Sequence, residues 1–176
     1  MGKEMRAVFP GRFQPFHLGH LAVIEWLLSK YDELIIVVGS GKDSHTIYNP
    51  FTAGERILMI KKGLKEFNVD FTRVIFFPIM DSFTSGLWIR NLELYSPKFD
   101  VVVSGNPLVI SDAREAGYIV DLPPMFNREM YNATKIRKLM LENNESWSEL
   151  VPKSVYSFIK EIKGDERLRD IARNDY

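Results

Sequence analysis

Hydrophobic positions along the chain follow two alternating patterns. Short apolar runs recur between longer stretches in which apolar residues stand three or four positions apart, and these spacings are typical of strands and helices respectively. The run ELIIVVG at 33–39 is rich in β-branched residues, which is typical of a strand buried on both faces of a sheet. Runs of this kind predict five strands, at 6–10, 33–39, 73–78, 99–105 and 117–122.

Helices are predicted between and after these strands. Apolar residues at helical spacing predict a helix over 18–31, and Thr52 followed by Glu55 forms a capping box that starts the next helix. The remaining predicted helices cover 84–95, the segment that Asn106-Pro107 caps and opens, and the chain from Asn132 onward with breaks at Pro152 and Gly164.

The alternation of strands and helices predicts the fold class. We expect an α/β fold with a Rossmann-like, doubly wound, five-stranded parallel sheet, helices on both of its faces and a helical C-terminal segment. A length of 176 residues suits one domain, and no linker, repeat or low-complexity stretch interrupts the chain. Residues 1–176 are therefore predicted to form a single domain, with helices at about 132–173 packed on it.

Polar and glycine-rich loops follow the first four predicted strands. In an open parallel sheet, ligands bind beyond the carboxyl ends of the strands, near the point where the strand order reverses. The loops that share this edge contain the segments GRFQPFHLGH, GSGKDSH, PIMDSF and SGNP. Because four such loops share the carboxyl edge of the sheet, they together predict a binding site at that edge more strongly than any single loop does.

Composition narrows the function classes. Lys+Arg and Asp+Glu both count 23, so nothing in the net charge indicates binding to nucleic acid or to an acidic membrane. The absence of cysteine excludes disulfides, thiolate metal sites and a thiol nucleophile. No apolar run approaches the ~18 residues of a membrane helix. We therefore expect a cytoplasmic protein that meets anionic ligands through local basic residues.

The first of these loops carries the most specific chemical signal. His17 and His20 stand three apart at the start of a helix, where backbone N–H groups and the positive end of the dipole favour phosphate. Gly19 between them would let an anion approach the backbone closely. Imidazole can donate hydrogen bonds to phosphate oxygens and, if protonated, adds positive charge. A zinc site is the alternative, but no third ligand stands out, so we predict phosphate binding and no metal site.

The same loop resembles the strand-one motif of the nucleotidylyltransferase superfamily, whose members share His-x-Gly-His. The version GRFQPFHLGH is similar to that of the archaeal-type nicotinamide mononucleotide (NMN) adenylyltransferases. The likeness runs through nearly the whole chain in unbroken order, in the segments VGSGKDSHT, NPFTAGER, SGNPLV, YNATKIRKLM and LVPKSVYSFIKEIKGDERLR.

This resemblance implies a reaction. The 5′-phosphate of NMN attacks the α-phosphorus of ATP in line, giving NAD and pyrophosphate, and no protein nucleophile is needed. It also implies Mg²⁺ held mainly by the ATP phosphates and water, and assembly as a homo-oligomer, often a hexamer in this family. Two alternatives stay open: a related transferase acting on phosphopantetheine, glycerol phosphate or a flavin, and a nucleotide sensor without activity.

The resemblance assigns roles to individual residues. His17 and His20 would hold the ATP phosphates, with His20 nearest the α-phosphate, while Arg137 would grip the β- or γ-phosphate. Arg12 completes the catalytic set from the first loop. The residues implied to bind ATP are Gly11, Phe13, Gln14, Gly19, Gly39, Ser40, Gly105, Asn106, Thr134 and Ile136. Those implied to bind NMN are Asp81, Phe83 and Trp88.

Some of these residues have a structural interpretation as well. A helix cap before Pro107 would by itself explain Asn106. Trp88 lies among apolar residues that suit a core position. As ligands, Trp88 would stack on the pyridinium, and the Asp81 carboxylate would favour the amide form of the mononucleotide over its acid form.

The chain departs from the family pattern in two places. Asn132-Ala133 stands where Ser-Ser or Ser-Gly often precedes the threonine of the last motif. Tyr48 stands where a basic residue is common, and Lys42 or Arg56 could then supply the missing phosphate contact.

Overall fold

The computed structural model describes residues 4–80 and 88–174. The strands are β1 (Arg6–Gly11), β2 (Glu33–Val38), β3 (Val74–Pro78), β4 (Val101–Val103) and β5 (Ile119–Asp121). The helices are α1 (Leu18–Lys30), α2 (Ala53–Glu66), α3 (Trp88–Tyr95), α4 (Pro107–Glu115), α5 (Ala133–Leu141), α6 (Lys153–Glu161) and α7 (Gly164–Asn174). Short 3₁₀ turns lie at Phe71–Arg73 and Glu145–Leu150. All five predicted strands are confirmed; of the helix predicted over 84–95, residues 84–87 lie outside the described part of the chain.

The sheet has the topology that the sequence predicts. Its strands are parallel and lie in the order β3-β2-β1-β4-β5, so β1 is central. Val8 of β1 lies beside Ile35 of β2 on one side and Val102 of β4 on the other. From β1 the chain adds β2 and then β3 on one side of the central strand, and it then adds β4 and β5 on the opposite side. The strand order therefore reverses between β1 and β4, and ligands of such sheets bind beyond the carboxyl ends of these strands.

Contacts divide the chain into two compact units that alternate along the sequence. The sheet unit contains residues 4–12, 23–41, 71–80 and 88–124, and the helical unit contains 13–22, 42–70 and 125–174. Helix α1 contributes its first residues to the helical unit and the remainder to the sheet unit. Because the chain passes between the units several times, neither is a continuous segment, and the organisation of residues 1–176 as a single domain stays a prediction.

The sheet unit buries both faces of its sheet. Val8, Ile35 and Val102 on one face belong to a single apolar cluster with Trp88 of α3 and Val109 of α4. The residues that alternate with them along the strands, such as Ala7, Leu34, Ile36 and Val101, are inaccessible as well. This two-sided burial is why the strands read as nearly continuous apolar runs.

The helical unit is tied together by an ion cluster around Asp165, which is 1% exposed. Lys160 donates to its carboxylate at 2.8 Å and Arg169 at 3.1 Å. Arg169 also donates to the carbonyl of Met140 at the end of α5, at 2.9 Å. One buried carboxylate thus links α6 and α7, and through Arg169 it holds α5 beside them.

The helix starts predicted from capping residues are confirmed. Thr52 and Glu55 form both hydrogen bonds of the capping box of α2. The side chain of Asn106 accepts from the N–H of Leu108 at the start of α4, and that of Asn132 caps α5 in the same way. Within the described residues, no helix has the length and apolar character needed to span a membrane.

Helix α6 is capped from outside its own sequence. Its N-cap is Pro152, whose side chain makes no capping hydrogen bond. Instead the carboxylate of Glu66, the last residue of α2, accepts from the backbone N–H groups of Lys153 at 3.2 Å and Ser154 at 2.8 Å. An acidic group at a helix amino terminus also interacts favourably with the helix dipole.

Glu66→Ala is therefore expected to lower the free energy of unfolding by about 1 kcal/mol, the usual value of an N-cap contact. Urea denaturation of both proteins measures it. The control is Glu142→Ala, which removes an exposed carboxylate 3.9 Å from Lys138 and should cost less than about 0.5 kcal/mol. Equal losses in the two variants would show that the cap contributes nothing beyond an ordinary surface charge.

Candidate active site

Two histidines lie where the loop after β1 meets α1, within the helical unit. Helix α1 begins at Leu18, so His17 directly precedes it and His20 lies in its first turn, as the sequence predicts. The side chain of His17 is 6% exposed, and that of His20 is partly exposed.

The two imidazole rings form a stacked pair. Their centroids are 3.6 Å apart and their planes differ by 20°. The Nδ1 of each ring accepts from the backbone N–H of the other histidine, with both N–Nδ1 distances at 3.3 Å. A ring nitrogen that accepts carries no proton, so each neutral ring holds its proton on Nε2. Both residues thus present an Nε2–H donor, with the tautomer fixed by their own backbone.

The histidines are held in the neutral form. Burial lowers the pKa of His17 to about 3. Burial also lowers the pKa of His20 well below its usual value, with a further contribution from the neighbouring His17. At neutral pH both rings are therefore uncharged, and the structure favours hydrogen-bond donation by neutral imidazoles over the protonated alternative considered from the sequence.

Aromatic residues of the same loop fix the ring of His20. Phe13 lies edge-on to it with centroids 4.8 Å apart, and Phe16 stacks on it at 5.8 Å with planes 14° apart. Both phenylalanines are buried, and Phe13 adopts a left-handed backbone conformation with φ 52°. For a residue that is not glycine this conformation is strained, and such strain is concentrated at functional sites. The side chain of Phe13 thus supports His20.

The glycine between the histidines has a packing role. A Cβ at Gly19 would lie 2.9 Å from the Cβ of Tyr131 and 3.1 Å from the ring of His17. Real Cβ atoms essentially never approach another atom as closely as 2.9 Å, so any other residue here would displace Tyr131 and crowd the ring of His17. Gly19 is therefore required for packing beside Tyr131, and the close approach of an anion to its backbone stays a prediction.

Arg137 reaches the same loop from α5. It is 6% exposed, and its guanidinium donates to the main-chain carbonyl of Gln14 at 2.7 Å and, less closely, to Thr134 Oγ1 at 3.4 Å. The structure therefore brings together residues that stand more than a hundred positions apart in the sequence, and which the resemblance had placed at one nucleotide.

The first turn of α5 is organised by its cap. Asn132 Oδ1 accepts from the N–H of Lys135 at 2.7 Å, and the N–H of Ile136 bonds to the carbonyl of Asn132 at 3.2 Å. Thr134 is exposed, whereas Ile136 is fully buried. Asn132 thus performs the capping expected of it, and the side chain of Ile136 is a core side chain.

The sheet unit carries the other residues implied to bind ATP. Gly11 is the last residue of β1, and Gly39 and Gly105 follow β2 and β4 at the carboxyl edge of the sheet. Gly39 donates its N–H to the carbonyl of Gly11 at 2.9 Å, and Ser40 beside it has a left-handed backbone with φ 51°. The space around Gly105 is open to 4 Å from the position of a Cβ. These main-chain segments are suited to close approach by a flat ligand.

Two polar side chains of the sheet unit complete this edge. Arg12 is exposed directly after β1. Asn106 is exposed too, but its side chain is used as the cap of α4, and its own N–H donates to Ser104 Oγ at 3.0 Å. Ser104, buried at 5% exposure, was not singled out in the sequence because it stands next to the more prominent Gly105.

The residues implied to bind NMN are located only in part. Asp81 and Phe83 lie outside the described residues. Trp88 is 1% exposed and belongs to the apolar cluster beneath the sheet, in surroundings that match the core interpretation given for it.

Trp88→Ala is accordingly expected to lower the free energy of unfolding by roughly 3–5 kcal/mol, as large-to-small changes in cores do. Denaturant titration measures this, and the KM for NMN of the folded variant is measured in parallel. An unchanged unfolding free energy together with a raised KM for NMN would instead support stacking of the indole on the pyridinium.

The two basic residues considered as replacements for the one expected at Tyr48 differ sharply in exposure. Arg56 is fully buried, and its Nε donates to the carbonyl of Thr52 at 3.2 Å. Lys42 is exposed. Only Lys42 is therefore accessible to a phosphate. Within residues 4–80 and 88–174, no three histidine, aspartate, glutamate or cysteine side chains are grouped so as to hold a metal ion.

Comparison with known families identifies the class of protein that this sheet and histidine loop define. The model of the cytidylyltransferase-like family matches residues 8–139, which is most of the chain. The chain belongs to this family.

Relatives place the chain more narrowly. It is 63% identical over 172 residues to nicotinamide-nucleotide adenylyltransferase 1 of Sulfolobus acidocaldarius, covering 98% of both chains. It is 55% identical over 170 residues to the nicotinamide-nucleotide adenylyltransferase of Saccharolobus solfataricus, covering 97% of this chain and 98% of that one. Within its family the chain is thus a member of the archaeal nicotinamide-nucleotide adenylyltransferases, which confirms the resemblance stated from the motifs.

Solved structures agree on the fold. A bifunctional NMN adenylyltransferase/ADP ribose pyrophosphatase from Francisella tularensis, complexed with AMP and a manganese ion, matches with a TM-score of 0.77 at 23% identity. The match covers 98% of this chain and 53% of that one, so the chain spans about half the length of the Francisella protein. At this identity the match supports the α/β fold and no more.

Proposed function

We infer that the protein is an adenylyltransferase that transfers AMP from ATP to NMN and releases pyrophosphate. The observation that carries this inference is the neutral, stacked pair of His17 and His20, with Arg137 bonded to the loop that presents them. The names of the archaeal relatives support NMN as the acceptor. In the reaction an oxygen of the NMN phosphate forms a bond to the α-phosphorus while the bond from that phosphorus to the leaving pyrophosphate breaks.

The histidines are proposed to act on the α-phosphate. Its non-bridging oxygens gain negative charge as the new bond forms, and a fixed N–H donor stabilises that charge without reorganising. The Nε2–H of His20 suits this role because Phe13 and Phe16 hold its ring in place. His17 keeps His20 in the required tautomer through the reciprocal backbone bonds and offers a second donor. The chemistry needs no nucleophilic side chain, since the acceptor phosphate is itself the nucleophile.

The arginines are proposed to hold the leaving group. Arg137 and the hydroxyl of Thr134 would bind the β- or γ-phosphate, and the phosphate contact that the resemblance implies for Arg12 stays a prediction. A guanidinium that is already oriented by hydrogen bonds loses little freedom when a phosphate binds. Positioning and electrostatic stabilisation of this kind account for catalysis when the substrates supply the reacting groups.

The remaining assignments belong to this proposal as well. The main-chain segments at Gly39, Ser40 and Gly105 would lie against the adenosine. Mg²⁺ would arrive as the MgATP complex, held by phosphate oxygens and water, which is the coordination this small ion prefers. Recognition of NMN by Asp81 and Phe83, and assembly as a homo-oligomer, stay predictions.

An acceptor panel tests the proposed substrate. The protein is mixed with ATP, Mg²⁺ and one acceptor at a time: NMN, nicotinic acid mononucleotide, phosphopantetheine, glycerol phosphate or flavin mononucleotide. Chromatography of the products should give NAD with NMN, and the highest kcat/KM with a nicotinamide-type acceptor. Product with phosphopantetheine or glycerol phosphate but none with NMN would show that the protein transfers AMP to a different acceptor. No product with any acceptor would favour a nucleotide sensor without activity.

A further inference from the structure

Gln14 has its side chain inside the helical unit. It is 1% exposed, and both polar atoms of its amide bond to the backbone of a single residue, Phe51. Its Nε2 donates to the Phe51 carbonyl at 2.9 Å, and its Oε1 accepts from the Phe51 N–H at 3.0 Å. This reciprocal pair satisfies both main-chain groups of Phe51 and joins the histidine loop to the segment that leads into α2.

The main chain of Gln14 makes a second link. Its carbonyl oxygen accepts from the guanidinium of Arg137 at 2.7 Å in a buried environment. One residue therefore connects three segments of the helical unit: the histidine loop, the approach to α2 and the start of α5. Gln14 lies three residues before His17 and accepts from Arg137, so it is placed to influence the position of both the histidine pair and the arginine.

Phe51 is a rigid anchor for this link. It is fully buried, and a Cβ at Gly164 would lie 2.6 Å from its ring, so the ring is packed against the start of α7. The guanidinium of Arg167 lies 5.8 Å from the ring centroid and pairs with both carboxylate oxygens of Glu55, at 3.0 and 2.7 Å. The backbone that Gln14 grips is thus itself fixed from α2 and α7.

We propose that Gln14 is a positioning residue for adenylyl transfer: its side-chain bonds to Phe51 fix the backbone that leads to the histidine pair and that accepts from Arg137, and it does not itself contact ATP. This proposal rests on the proposed function, and it replaces the direct ATP contact that the resemblance implied for Gln14. Displacing catalytic groups by about 1 Å can cost about 10²-fold in rate, so residues that hold them have large effects at a distance.

Gln14→Met tests the proposal, since methionine matches the size of glutamine and makes neither bond to Phe51. We expect the KM for ATP to rise about 10-fold or more and kcat to fall, with the KM for NMN changed less than about 3-fold. Hydrogen exchange of the Phe51 amide should accelerate, because its acceptor is lost.

The control for general destabilisation is Glu66→Ala, which weakens the same unit at the α6 cap without touching Phe51 or Arg137. It should leave the KM for ATP and kcat unchanged at temperatures where the protein is folded. Kinetic losses in Glu66→Ala equal to those in Gln14→Met would reduce the effect to general destabilisation and overturn the proposal.

A double-mutant cycle separates positioning from direct contact. If Gln14 acts through Arg137, Gln14→Met should raise the KM for ATP much less in an Arg137→Ala background than in the wild-type protein. Independent effects that multiply in the double variant would mean that Gln14 contributes separately, and the proposal would be wrong.

Failure of the proposed function can be told from failure of this proposal. Calorimetric binding of a non-hydrolysable ATP analogue and exchange of the Phe51 amide require no adenylyl transfer. Weaker binding and faster exchange in Gln14→Met would support the positioning role even if NAD were not the product. Unchanged binding and exchange would overturn the positioning role even if wild-type protein makes NAD.

Discussion

His20→Ala is expected to lower kcat by about 10²–10³-fold, the usual cost of removing one fixed donor from a developing negative charge. The dissociation constant of ATP should change far less, since the interaction strengthens only as the α-phosphate gains charge. The comparison of single-turnover rate with equilibrium ATP binding measures both effects. The replacement also removes a ring packed between His17 and the loop phenylalanines, so folding is verified by thermal unfolding.

The matched control is His45→Ala, which removes the third histidine of the chain. His45 is exposed and its ring lies near Ser44 and Arg167 in the loop that follows β2. Its replacement should leave kcat within about 2-fold of the wild-type value, the range of surface changes. An unchanged kcat in a folded His20→Ala protein would make the stacked pair a structural feature only.

Arg137→Ala is expected to raise the KM for ATP by about 10–100-fold, because one charge-assisted contact contributes roughly 1.5–3 kcal/mol and each 1.4 kcal/mol is a factor of ten. The effect on kcat should be smaller if the arginine holds a terminal phosphate in both the ground state and the transition state. Initial-rate kinetics with ATP varied at saturating NMN give the two constants separately.

Lys138→Ala is the matched control for this change. Lys138 is the next residue of α5, carries the same charge and is largely exposed, with Glu142 at 3.9 Å. Its removal should not change the KM for ATP measurably. A loss of kcat in Arg137→Ala at constant KM for ATP would show that the arginine contacts the α-phosphate in the transition state and does not hold the leaving group.

The sequence predicted what depends on short-range chemistry. Strands buried on both faces have a distinctive apolar pattern, so all five were found, with ends within two residues of those in the structure. Capping side chains act within three residues of themselves, which is why Thr52, Asn106 and Asn132 could be assigned from spacing alone. The two histidines were recognised because their spacing and helix position are local properties too.

Features that depend on distant contacts could not be predicted. The ring of His20 is fixed by residues of its own loop, but the neutral state of the pair follows from burial, which no local pattern specifies. The contact of Gln14 with Phe51 joins segments 37 residues apart, and that with Arg137 spans 123. Neither Tyr131 beside Gly19 nor Glu66 as the cap of α6 leaves a signal in the sequence, because each acts across a tertiary contact.

The most direct test of the central claim follows the α-phosphorus itself. The wild-type protein is incubated with ATP labelled with ³²P at the α-position, NMN and Mg²⁺, and the label is traced by chromatography while pyrophosphate is assayed. We predict that the label appears in NAD, with one pyrophosphate released for each NAD formed. Label remaining in ATP, or appearing in AMP without NAD, would contradict the claim that this chain transfers AMP to NMN.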